Sequence, residues 1–255
     1  MTSTERFGDR VADYVLHRPS YPREAIDFVV SVLGLHEGDV VADVGAGTGI
    51  SSALLLDRGI HVRAIEPNAN MRAAAEASLG ARAGFSAHAG TAEATTLPDA
   101  SVDAIVAAQA FHWFDPPRAR LEALRILRPS TREATAALIW NARREHGTPF
   151  LEGYERLLMS SATDYAKVRH QHVAASDALD VFFGAPPAKW STPNVQHFDW
   201  EGLRGRAASS SYVPAPGHPA HDAFFAALRD LFDRTNERGR VAFAYDVDVY
   251  YGRVR

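Results

Sequence analysis

The chain is 255 residues long, 46% apolar and 23% charged, the proportions of an ordinary folded protein. Its formal net charge of −4 offers no basic field to a nucleic-acid backbone or an anionic membrane, and its lack of cysteine excludes disulfides, thiolate metal sites and a Cys nucleophile. The opening MTSTERFGDR is polar where a signal peptide is apolar, and no run approaches the ~18 apolar residues of a membrane span. These features fit the cytoplasm and predict neither a nucleic-acid partner nor a membrane.

A single core stops growing at roughly 250 to 300 residues, so one α/β domain with an insertion is expected over 1–255. Residues 1–25 are read as an N-terminal cap segment, and the turn RPSYP introduces a helix from Ile26 to Leu33. Residues 26–145 form the predicted cofactor-binding core. From about Asp39 to Trp140, short apolar runs alternate with stretches of helical period, the pattern of successive βαβ units. The predicted strands are Val40 to Val44, Val62 to Glu66, Phe85 to Ala89, Val102 to Ala108 and Ala136 to Asn141. Helices are expected from Ser51 to Arg58, Asn68 to Leu79 and Pro116 to Leu127, the last with Asp115 as N-cap and prolines in its first turn. Residues 146–193 read as a helical insertion, with two helices between Pro149 and Phe183. Residues 194–255 complete the domain with a strand from Val195 to Trp200, a helix from Ala220 to Asn236, and the alternating strand VAFAYDVDVYYGRV.

The strongest local signal is VADVGAGTGISSALLL, a buried strand running through Gly45, Gly47 and Gly49 into a helix. Glycine permits a tight turn and lets a ligand lie against main-chain atoms. Ile50 stands where the dinucleotide fingerprint GxGxxG requires its third glycine, so the spacing is GxGxG. Glu66 follows 23 positions after Asp43, at the end of the next strand, where a carboxylate can accept both ribose hydroxyls of an adenosine. Taken alone, these residues suit any adenosine ligand.

The segments DVGAGTG, IEPNANM and GTAEATTLPDASVDAIVAAQAFHWFD, in that order, resemble the class I S-adenosylmethionine-dependent methyltransferases. With YVLHRPSYP, AFHWF, SSSYVP and YDVDVYYGRV, the chain is similar to their small-molecule branch, the methyltransferase type 11 family that includes the trans-aconitate methyltransferases. The resemblance implies a Rossmann-like, seven-stranded, mostly parallel sheet with helices on both faces and an antiparallel last strand. It implies S-adenosyl-L-methionine as cofactor and S-adenosyl-L-homocysteine as product. Asp43 would orient the glycine loop, Gly45, Ala46 and Gly47 would face the methionine portion, and Glu66 would hold the ribose. Pro67 and Met71 would pack on the adenine, and Thr91, Ala92 and Glu93 would meet its edge; many relatives carry Asp in place of Thr91. Gln109 and Ala110 would line the pocket beside the sulfonium. Tyr14 and Arg18 would reach over the cofactor, or else belong to a packed cap.

Methyl transfer from a sulfonium needs alignment and exclusion of water more than activation. His112, just past the fourth strand at the carboxyl edge of the sheet, is the candidate catalytic residue, as base or as orienting donor. Phe111, Trp113, Trp140 and Tyr212 are candidate substrate-binding aromatics, although FHWF would serve equally as a core cluster. If the acceptor is an acid, Arg204 or its neighbour Arg206 could clamp it; otherwise both are solvated charges. No metal is expected, because His218 and His221 lack a third ligand. The expected function is O-methylation of a small organic acid or related metabolite. C- or N-methylation of an aromatic or amine, a binding module without turnover, and a nicotinamide oxidoreductase remain as alternatives.

Overall fold

A computed structural model describes residues 20–161, 165, 177–210 and 212–255. Seven strands form one sheet: β1 (Val40–Val44), β2 (His61–Ile65), β3 (Phe85–His88), β4 (Ala104–Ala108), β5 (Ala136–Arg143), β6 (Ala188–Phe198) and β7 (Val241–Gly252). Their order is β3-β2-β1-β4-β5-β7-β6, and β7 runs antiparallel to both neighbours while the other six share one direction. β1 reads VVADV and is buried at every position, as a central strand covered on both faces must be. In β7, buried positions alternate with half-buried ones, because one face alone meets a packed core.

Eight helices follow among the described residues: α1 (Arg23–Val32), α2 (Ile50–Leu56), α3 (Ala69–Leu79), α4 (Pro116–Ile126), α5 (Pro149–Ser161), α6 (Ala178–Phe183), α7 (Trp200–Ala208) and α8 (His221–Thr235). Ile26 and Val29 of α1 and Leu55 of α2 pack on one face of the sheet with Val41, Val62 and Ile139. Ala123 and Ile126 of α4 and Phe182 and Phe183 of α6 cover the other with Ala42, Ile105 and Leu138. A third core joins α5, α7 and α8 to Phe243 and Tyr245 at the start of β7. No helix of the described residues is long and apolar enough to cross a membrane.

Two boundaries differ from expectation. β6 begins at Ala188, inside the stretch read as insertion, because Pro193 is tolerated on an edge strand, where only one side carries a ladder. Trp200 opens α7 instead of closing a strand: the Asp199 carboxylate caps that helix by accepting from the Gly202 amide at 2.9 Å. Gly202 and Gly205 dilute the helical pattern of α7, which hid it from the sequence.

One carboxylate ties α4 to the loop before β4. Both oxygens of Glu122 accept from Arg125, at 2.8 and 2.7 Å, and one also accepts from the amide and hydroxyl of Thr95, at 2.8 and 2.5 Å. The Arg125 hydrogen bonds, joined by those from Thr95, lower its pKa from 4.5 to about 2. A carboxyl depressed in the folded state stabilises above its ordinary pKa, and that contribution disappears as pH falls through the folded value. Thermal denaturation followed from pH 5 to 2 should therefore show a steep loss of Tm between 4.5 and about 2, and a shallower one in Glu122→Gln. Equal slopes would contradict this assignment.

Candidate functional site

Three βα turns, after β1, β2 and β4, and the loop after β3 meet at the carboxyl edge of the sheet. The first follows β1, where Gly45 and Gly47 take φ of +73° and +58°, a region that favours glycine. The amides of Gly45 and Ala46 donate to the Ile65 carbonyl at 2.8 and 3.1 Å, fastening the turn to the end of β2. A Cβ on Gly45 would lie 2.4 Å from the Ala110 Cβ, so that glycine is required by close packing against the turn after β4. A Cβ on Gly47 would meet nothing nearer than the Met71 sulfur at 3.9 Å. Among the described residues, none fills the space above Gly47.

The second turn carries the acid. One oxygen of Glu66 accepts from the Gly47 amide at 2.9 Å and the other from the Asn68 amide at 2.8 Å. Burial raises its pKa above 4.5, against the pull of the Asn68 and Gly47 hydrogen bonds. Each oxygen retains acceptor capacity for a further donor. Asn68 caps α3 by accepting from the amides of Asn70 and Met71, which seats buried Met71 beside the open space; Pro67 is exposed next to them. Beneath the first turn, Asp43 is fully buried: Oδ2 accepts from Ser51 and Ser52 hydroxyls at 2.6 Å each, and Oδ1 has no partner. Burial likewise raises the Asp43 pKa. The third element, after β3, bridges Thr91 to Ala94, buries Ala92, and directs Glu93 to the Asp115 amide at 2.8 Å.

At the end of β4, Gln109 adopts φ +58° and its side-chain amide donates to the Asn141 carbonyl at 3.2 Å. Ala110 is buried against Gly45, and His112 is half-buried in a 3-10 turn over Phe111–Trp113. The His112 and Trp113 rings lie 4.7 Å apart, with Trp113 43% exposed. Asp43, Gly45, Ala46, Gly47, Glu66, Pro67, Met71, Gln109, Ala110, His112 and Trp113 therefore gather at this one edge.

Other candidates stand elsewhere. Phe111 packs edge-on against Phe114, Trp140 and Phe182 in the core on the α4 side, so Phe111 and Trp140 are core rings instead of acceptor walls. Strand alternation explains Trp140: it points opposite to its neighbours Ile139 and Asn141. Arg204 lies on the outer side of α7, 57% exposed and 3.8 Å from Glu201, because Leu203, Arg206 and Ala207 form the inward stripe. Arg206 is the buried arginine. Tyr212 is half-buried against Tyr165, ring centroids 5.0 Å apart. Tyr14 and Arg18 lie outside the described residues. No group of three metal-ligating side chains occurs among the described residues. Arg143, Tyr154 and Glu155, unremarked in the sequence, are buried near Arg206; the charged end of the apolar strand AALIWNAR was the available signal.

Comparison with known proteins agrees with this geometry. Residues 42–132 match the methyltransferase domain family. An uncharacterized methyltransferase of Mycobacterium tuberculosis is 43% identical over 139 residues, covering 54% of this chain and 53% of that protein. The chain thus spans about half the length of the curated relatives it matches first. Among solved structures, a candidate type II methyltransferase from Anaeromyxobacter dehalogenans superposes with a TM-score of 0.67 at 22% identity, covering 93% of this chain and 98% of that one. The 4+2 cyclase SpnF superposes with a TM-score of 0.54 at 18% identity, covering 100% and 97%. These likenesses establish the class I fold.

The two turn glycines should respond differently to a methyl group. Gly47→Ala meets open space and carries only its backbone strain, about 1 kcal/mol, lowering Tm by roughly 2–4 °C. Gly45→Ala must in addition displace Ala110, and should lower Tm at least twice as far. Equal melting shifts by calorimetry would contradict the tight packing between these turns.

Proposed function

From the match of residues 42–132 to the methyltransferase domain family, we propose that the chain is a class I S-adenosylmethionine-dependent methyltransferase that transfers the methyl group of S-adenosylmethionine to a small organic acid. The observation that carries this reading is the open space over Gly47, bounded by Met71 and by a buried acid with lone pairs to spare. A Cβ would fill that cradle, and Asp43 Oδ1 lies unpartnered beneath it. The residues fit a cationic nucleoside: Glu66 would accept from the ribose hydroxyls, the bare main chain at Gly45 to Gly47 would face the methionine portion, and Pro67 and Met71 would pack on the adenine. Thr91, Ala92 and Glu93 would border its edge.

Bound there, S-adenosylmethionine supplies an electrophilic methyl group on a positively charged sulfur. The chain's own task is to align an acceptor and exclude water, which for well-oriented reactants contributes on the order of 7 to 11 kcal/mol. Gln109 is held rigidly for this role by two hydrogen bonds, its amide to the Ile139 carbonyl at 2.8 Å and its side chain to the Asn141 carbonyl. Trp113 would attract positive charge to its exposed face. A carboxylate acceptor has no proton to lose, so His112 would orient it; a phenol, alcohol or ammonium acceptor would instead require His112 as base. The half-buried seat of His112 beside Trp113 favours this second reading, N- or C-methylation, as the alternative.

Incubation with methyl-labelled donor and a panel of acids, phenols and amines tests the proposal. S-adenosylhomocysteine should form with an acid; firm donor binding without turnover on any class would leave a binding module. With an acid acceptor His112→Ala should keep measurable turnover, whereas abolished turnover with unchanged donor affinity would favour the amine or phenol reading.

Calorimetric titration with S-adenosylhomocysteine should show affinity falling as pH drops through the raised pKa of Glu66, above the ordinary 4.5, because the protonated acid loses acceptor capacity. The sign is opposite for the unliganded protein, whose folded state takes the proton more readily than the unfolded chain and gains stability on acidification there. Glu66→Gln should lower affinity about 10- to 100-fold and flatten the profile. An unchanged profile would remove Glu66 from the site.

A further inference from the structure

The third core contains a cation that its surroundings do not neutralise. Arg206 is 5% exposed, and its partners are all uncharged: Nε donates to the Tyr245 hydroxyl at 3.1 Å, and Nη1 to the hydroxyls of Ser210 at 2.9 Å and Ser209 at 3.5 Å. Its guanidinium lies 5.4 Å from the Phe243 ring centre. Burial works against the Arg206 charge, and Tyr245, Tyr212 and Tyr154 around it favour that charge. Next to it, Arg143 has a side chain 9% exposed, pairs with Glu155, donates to the Tyr165 hydroxyl at 2.7 Å, and stands 5.2 Å from the Tyr154 ring centre. Tyr154, 1% exposed, has a hydroxyl with no partner, and burial raises its pKa, so it remains a neutral donor. Among the described residues, Arg143 has a carboxylate partner in Glu155, Arg206 has none, and Tyr154 offers an unused phenol donor.

An isolated buried charge is costly, and a counter-charge brought to it offsets that cost. The position fits the proposed reaction. Arg143 follows Asn141 by two residues on the same face of β5, ~7 Å along the strand, and the Asn141 carbonyl holds Gln109. Tyr245 lies opposite Arg143 in register on β7.

We propose that Arg206, with Tyr154 and Arg143, forms an anchoring subsite for a carboxylate of the acceptor, leaving a second group of the same molecule directed toward Gln109. This rests on the methyl-transfer reading for its place in catalysis, but the anion site can be tested without turnover. Arg206 suits the role because its planar fork can grip both oxygens of a carboxylate.

Thermal denaturation in acetate, against chloride at equal ionic strength, reads the subsite directly, since an anion bound only to the folded state raises Tm. With acetate about tenfold above its Kd, the wild-type protein should gain roughly 3–6 °C over chloride. Arg206→Gln should abolish that gain, and Tyr154→Phe, which preserves the ring, should reduce it. Glu155→Gln should enlarge it by removing the competing carboxylate. A wild-type protein indifferent to acetate, or a gain that survives Arg206→Gln, would overturn the proposal. Calorimetry with S-adenosylhomocysteine separates the two readings: equal affinity in wild type and Arg206→Gln is expected, no affinity in wild type would defeat the methyl-transfer reading alone, and affinity lost only in Arg206→Gln would assign the cluster to the donor's carboxylate and overturn the acceptor subsite.

Discussion

The hydrogen bond from the Gly47 amide to the Glu66 carboxylate joins the turns after the two neighbouring strands β1 and β2. Without it, a buried acid at the end of β2 would lack one of its two main-chain donors, and the glycine turn would lose a tie to a side chain of the next unit. The bond is possible because Gly45 and Gly47 bend the chain through a left-handed region, and because Gly45 lets Ala110 close from the other side. The geometry of all three turns at the carboxyl edge follows from that pairing of bare backbone with one acid. A site of this kind is rigid before any ligand arrives, which limits the reorganisation that binding requires.

The glycine turn and the acid at the end of β2 were largely legible because their determinants are local. VADVGAGTG announces a buried strand and a tight turn by residue type alone, and Glu66 falls at the strand end that a regular βαβ unit dictates. The acceptor side was less legible because it depends on which face a residue presents in elements whose phase the sequence leaves undetermined. Trp140 and Asn141 are adjacent in sequence and belong to opposite faces of the sheet. Arg204 and Arg206 differ by two positions on a helix that two glycines conceal, and one is solvated while the other is buried. The Arg143–Glu155 pair links a strand to an inserted helix, a contact that no spacing rule could anticipate.

Fold and chemistry separate in this architecture. The same seven-stranded frame that superposes on a candidate methyltransferase also superposes on the cyclase SpnF, so strand order does not select the reaction. In this chain the elements around β5 and β7 bring tyrosines and arginines together under cover.

Gln109 shows what the site forfeits for its rigidity. A non-glycine residue held at φ +58° stores about 1 kcal/mol that a glycine in its place would release. Glycine would also surrender the side-chain tether to β5 and the restricted freedom of the strand end. Selection for thermal robustness and selection for turnover would consequently pull this position in opposite directions, and laboratory evolution under heat alone is expected to find the replacement that evolution under catalysis avoids.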